Sequence, residues 1–179
     1  MSRMTYVEFV NAVRAEFPSF KIVNKSDSFF MRTLSLLLLV VTFGQQSEFM
    51  TAFITTIGYT VYVPDSWMDG ADEGRISVLR HERVHMRQRR KYSMPLFTFL
   101  YLVPFFPLGL AYFRAKFEWE AYEETMRVAV EYHGKVILKL PIFKENILSH
   151  FTTGQYGWMW PFRKTLERWY AASVTKLAP

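Results

Sequence analysis

The chain has 179 residues, half of them hydrophobic and 18% aromatic, with a formal charge of +6 and no cysteine. That length favours one domain with ample core material, and the apolar surplus leaves side chains over for a membrane surface or a partner. The missing cysteines exclude disulfides and thiolate metal sites, so any zinc centre has to be built from histidines and carboxylates. The basic balance suits nucleic acid, anionic lipid or plain solubility without choosing among them.

Met4, Val7, Val10, Val13 and Phe17 recur at helical spacing, which predicts an amphipathic helix over residues 1–17, ended by Pro18. Glu8, Arg14 and Glu16 break up its apolar residues, so it does not read as a secretory signal, and the expected compartment is the cytoplasm. Residues 19–33 suggest a strand and a turn at 24–28. Residues 34–43 are an uncharged apolar run of ten, too short to span a bilayer, and read as a buried core helix. Residues 53–63, rich in β-branched and aromatic side chains, predict one strand ending at Pro64. An acidic turn over 64–74 leads into a helix from about Arg75 to Arg90.

Residues 94–113 carry no charge, and length alone would suggest a membrane span. Pro104, Pro107 and Gly109 interrupt the run, and basic residues flank both ends: Arg87, Arg89, Arg90 and Lys91 before it, Arg114 and Lys116 after it. Positive charge on both sides argues against a crossing. The expectation is a hairpin of two short halves, buried in protein or contacting a membrane surface. A long helix over 114–133 follows, stopped by Gly134. Residues 135–142 suggest a short strand, 143–151 a short helix and 152–160 a loop. Pro161 opens a last helix that reaches about Lys176. The predicted fold class is α+β, mostly helical, with a small sheet ahead of the central helix.

The chemistry sits in His-Glu-Arg-Val-His, an HExxH at residues 81–85. On a helix, positions four apart share a face, so His81 and His85 can grip one tetrahedral metal. Glu82, one position round, turns toward a water at the open metal position and can act as general base. A third ligand is needed, and no third histidine follows closely. The acids to test lie in Phe-Glu-Trp-Glu-Ala-Tyr-Glu-Glu, residues 117–124. Projected at 100° per residue, Glu120, Glu123, Glu124, Arg127 and Glu131 form one solvated face. Glu118 lies opposite, among Ala121, Tyr122, Thr125 and Ala129. A carboxylate on an apolar face is costly unless paired or metal-bound, so Glu118 is the expected ligand; an ion pair with Arg114 is the alternative. Arg80, Arg83, Arg87 and Arg90 occupy the helix face opposite the histidines.

HExxH on one helix and Glu-x-x-Ala on a later one resemble the gluzincin zinc metallopeptidases, and the minimal gluzincin-like proteins of bacteria and phages in particular. The resemblance covers about residues 53–125. It implies a minimal zincin-like core holding one zinc ion, with His81, His85 and Glu118 as ligands and Glu82 as base. It also implies that the strand ahead of the HExxH helix pairs with an extended peptide substrate through its exposed edge. Family members of the Glu-x-x-Ala-Asp type place an acid where this chain has Tyr122, and that acid orients a zinc-binding histidine, so here another group has to do so. The tetrahedral oxyanion needs a further donor; His150 and Tyr156 are the first candidates, with His133 and Tyr122 behind them.

The leading expectation is thus a zinc metallopeptidase acting on a peptide or protein. The alternatives are a catalytically silent zinc-binding structural or interaction protein, such as a phage component, and a zinc-dependent cell-wall hydrolase. No nucleic-acid-binding module is recognisable.

Overall fold

A computed structural model of the chain describes residues 4–41, 47–102, 111–153 and 159–178. It is an α+β protein, mostly helical with one three-stranded sheet. Its chain contacts gather in two compact units, Met1–Ile76 and Ser77–Pro179.

In the first unit, α1 (Tyr6–Glu16) starts at a capping box in which Thr5 and Glu8 satisfy each other's backbone N–H groups. It buries Phe9, Val10 and Val13. The sheet has the order β1-β3-β2, with β1 Lys21–Asn24, β2 Thr55–Ile57 and β3 Thr60–Val63. β3 runs parallel to β1 and antiparallel to β2. The single strand expected over 53–63 is therefore a hairpin. Gly58, at φ +61°, occupies the first position of its two-residue turn, where tight hairpins favour glycine. As the middle strand, β3 has both edges paired, so it offers no edge for strand addition; the sheet's edges are β1 and β2.

Helix α2 (Phe29–Val41) also departs from expectation. It buries Met31, while Phe29, Phe30, Leu36, Leu37 and Val40 are each more than half exposed. A run that is apolar on every side needs covering on every side, and the first unit covers one face only. Among the described residues no helix is long and apolar enough to cross a membrane.

Lys25 is fully buried beside this helix, its ammonium donating to the Phe49 carbonyl and resting 3.8 Å from the Phe49 ring centre. Burial pushes its pKa down from 10.5 to about 8. Below that value the folded state carries the desolvation cost; above it the unfolded chain binds more protons, so stability rises with pH until both states are neutral. Lys25→Met is expected to raise stability near neutral pH by about 1–2 kcal/mol, the relieved desolvation less the lost hydrogen bond. It should also flatten the rise that wild-type protein shows between pH 8 and 10.5. Denaturant unfolding at neutral pH and inside that window checks both; a less stable, equally pH-dependent variant would refute the assignment.

The second unit is helical. Most of α3 (Asp72–Tyr92) belongs to it, with α4 (Met94–Leu102), α5 (Tyr112–His133), α6 (Pro141–Thr152) and α7 (Arg163–Leu177). Ser93, at φ +62°, breaks α3 from α4, and its carbonyl accepts the first hydrogen bond of the new helix from Phe97. α4 covers the first part of the uncharged run, exposing Leu96 and Phe99 and burying Phe97; Pro104, Pro107 and Gly109, where the expected hairpin would turn, lie outside the described residues. Gly134 ends α5 at φ +76°, as its position predicts. Residues Lys135–Lys139 form a 3-10 turn where a strand was expected. Gly134 and Pro141 bound the segment too closely for a strand to find a partner, and Leu138 plugs it into the core. That core holds Tyr122, Met126, Leu138, Ile147, Leu148, Phe151, Met159, Leu166 and Tyr170.

Candidate metal centre

Two helices of the second unit converge on one cluster. His81 and His85 project from consecutive turns of α3, and Glu118 meets them from α5. The His81 Nε2 lies 3.2 Å from the His85 Nε2 and 3.2 Å from the Glu118 Oε2, and the His85 Nε2 lies 3.5 Å from the Glu118 Oε1. Donors held about 2.1 Å from a tetrahedral ion stand roughly 3.4 Å apart. The two histidine nitrogens stand near that distance from each other and each from one Glu118 oxygen, and one ligand atom from each residue lies within 4.8 Å of the others, so these three residues can hold a metal ion.

Proton positions point the same way. His85 donates from Nδ1 to the Gln88 Oε1 at 2.9 Å. The Gln88 amide is held in that orientation because its Nε2 donates to the Phe117 carbonyl at 3.0 Å and to Glu120 at 2.8 Å. On the other side, His81 Nδ1 faces the Thr125 hydroxyl at 3.3 Å, and that hydroxyl donates onward to the Ala121 carbonyl. Both Nδ1 atoms thus have protein partners, and the two Nε2 atoms face each other and Glu118. Two nitrogens and a carboxylate so placed call for a cation among them, a proton or a metal ion. This is the outer support that metal-binding histidines receive.

Burial raises the stakes. Glu118 is 6% exposed and His85 5%. Burial opposes the charged form of Glu118, but the His85 and His81 imidazoles outweigh it and hold its carboxyl well below the usual range. Burial likewise disfavours protonated His85, and the Glu118 carboxylate, with help from Glu82 and Gln88, lifts its pKa above the ordinary histidine value. Without a metal, the cluster attracts a proton in its place, and metal uptake competes with that proton.

Glu118 occupies the inward face that helical projection assigned to it. Its partners are the two histidines and the Tyr101 hydroxyl, which donates to Oε1. Arg114, the alternative partner, instead places its guanidinium 5.0 Å from the Tyr101 ring centre. Glu120 stays on the outer face and is linked to the centre through Gln88. Glu82 is half-buried on α3, close enough for its charge to act on His85 and Tyr101. Tyr122, standing where the resembled family keeps an acid, packs edge-on against the His81 ring at 4.8 Å and leaves that ring's Nδ1 to Thr125. His150 stacks on the far face of this assembly, 5.1 Å from Tyr122 and nearly parallel to it. Burial, with His81 nearby, lowers its pKa from the ordinary value, against an opposing pull from Glu118. His133 is exposed at the end of α5. Tyr156 lies outside the described residues.

One arginine of the basic face of α3 reaches α5. Arg80 donates from Nε to Glu124 at 2.6 Å and from Nη2 to Glu131 at 3.0 Å. These bonds fasten the two ligand-bearing helices in register. Gln88, Thr125 and Tyr101 are the site residues that motif reading missed. Two of them had a signal: Gln88 lies three residues after His85, and Thr125 seven after Glu118, each on its ligand's own face. Tyr101 sat in an uncharged run with nothing to mark it.

Comparison of the chain with protein-family models, curated proteins and solved structures gives no match.

Proposed function

We propose that the chain is a zinc-dependent metallopeptidase whose centre is His81, His85 and Glu118. The observation that carries this reading is the convergence of one ligand atom from each of the three residues to within 4.8 Å, with both imidazole Nε2 atoms directed inward. Two histidines and one glutamate are a donor set that suits zinc and leaves one coordination position open. When bound, zinc supplies an acidified water and polarises the carbonyl under attack. The protein groups do the rest. Glu82, next to His81 on α3, accepts the water's proton and passes it to the leaving amine. Gln88 and Thr125 keep the imidazoles in the metal-binding tautomer. His150, stacked on the Tyr122 ring that meets His81 edge-on, is one candidate for donating to the developing oxyanion, and Tyr156 is the other. A silent structural site has no use for a carboxylate beside the ligand pair, which favours the enzyme.

Purified protein is expected to carry close to one zinc per chain and to cleave members of a mixed peptide pool, with cleavage lost to a chelator and restored by zinc. Elemental analysis and mass spectrometry of the pool check this. A protein that takes up neither zinc nor cobalt would end the metal reading; one that binds zinc and leaves every peptide intact would end the peptidase reading alone.

A further inference from the structure

The centre contains a contact that ligand binding alone does not require. Tyr101, from α4, donates its hydroxyl to the Oε1 of Glu118. We infer that Tyr101 is a positioning residue that keeps Glu118 bound to the metal through one oxygen, so that a coordination position stays open. This inference rests on the reading of His81, His85 and Glu118 as a metal centre.

A carboxylate has two oxygens of equal basicity, and a zinc ion in a loose pocket can take one or both. Taking both consumes space and charge that the reaction needs for water and substrate. Here the two oxygens are made unequal. Oε2 faces His81 Nε2 at 3.2 Å, whereas Oε1, at 3.5 Å from His85 Nε2, is engaged by the phenol. A hydrogen bond from a neutral donor draws density from Oε1 and fixes the carboxylate's rotation, which leaves Oε2 as the better ligand.

The phenol is itself held on three sides. Its ring stacks on Phe97 one turn earlier in α4, at 5.4 Å and 26°. It meets His85 edge-on at 5.9 Å and 80°, and the Arg114 guanidinium covers it at 5.0 Å. Such a donor cannot swing away when an ion arrives. The hydroxyl comes from a different helix than any ligand, so the docking of α4 sets the ligand's binding mode.

The test uses the full chain loaded with cobalt(II), whose visible absorption is several-fold stronger in four-coordinate than in five- or six-coordinate sites. Wild-type protein is expected to give the strong four-coordinate spectrum. Tyr101→Phe keeps the ring and removes the donor; it should weaken that spectrum toward a higher coordination number and lower zinc affinity by about tenfold to a hundredfold in a competition titration. Phe99→Leu, at an exposed position of the same helix, leaves the phenol and its supports in place and should keep the four-coordinate spectrum. A weak spectrum in the wild type overturns the inference without recourse to any variant. So does an unchanged spectrum and affinity in Tyr101→Phe, or an equal change in Phe99→Leu. Failure of the wild type to bind either metal is a different result, which removes the metal centre itself.

Discussion

Glu118→Gln is expected to lower zinc affinity at least a hundredfold while leaving the chain folded. The magnitude follows from structural zinc sites, where four protein ligands share a binding free energy of about 12 kcal/mol, so that one ligand is worth about 3 kcal/mol. Glutamine has the same shape, and its amide oxygen can still accept from Tyr101, so packing around α4 is preserved and the lost charge dominates. Removing the charge also releases His85, whose raised pKa depends on the Glu118 carboxylate. The neutral histidine is then left with Gln88 as its partner, without a buried unpaired charge. Isothermal titration with zinc and a chelator competition measure the loss; circular dichroism establishes the fold. An affinity within a few-fold of wild type would show that Glu118 serves as an ion-pair partner and that the third ligand lies elsewhere.

The contrast with Glu120 shows what a sequence can and cannot reveal about such a site. Both glutamates are in the same helix, two residues apart, and helical geometry alone puts them on different faces. The observed burial of Glu118 and exposure of Glu120 follow from that local rule. His81, His85 and Gln88 share a face of α3 for the same reason. Tyr101 obeys no local rule that points to Glu118. Its contact depends on where α4 docks after the break at Ser93, a decision taken by tertiary packing. The sheet divides similarly. The strand content of 53–63 was legible in its β-branched residues, and Gly58 was the available signal for the turn, outweighed by the continuous apolar run around it. Burial of α2 was not legible at all, because hydrophobicity records what a helix seeks and not how much of it the fold covers. In the segment after Gly134, β-branched composition favoured a strand, but the glycine stop and Pro141 left six residues between them, and a 3-10 turn is what fits.

Glu82→Gln is expected to leave zinc content unchanged and to reduce peptide turnover by a factor of about a thousand. A positioned general base contributes roughly a hundredfold to ten-thousandfold, and glutamine cannot take a proton at any working pH. Because the change removes an interaction made in the transition state, kcat should fall with little change in KM. Metal retention follows from the geometry: the carboxylate beside His81 is not among the three ligand atoms that share the centre. The two readouts separate the roles that this residue can have. Loss of zinc would make Glu82 a ligand. Retained zinc with turnover within tenfold of wild type would remove it as the base, and another acceptor would have to be found. Retained zinc with turnover lost is the result that only the general-base role predicts, and a wild-type rate that a chelator abolishes is the reference against which it has to be read.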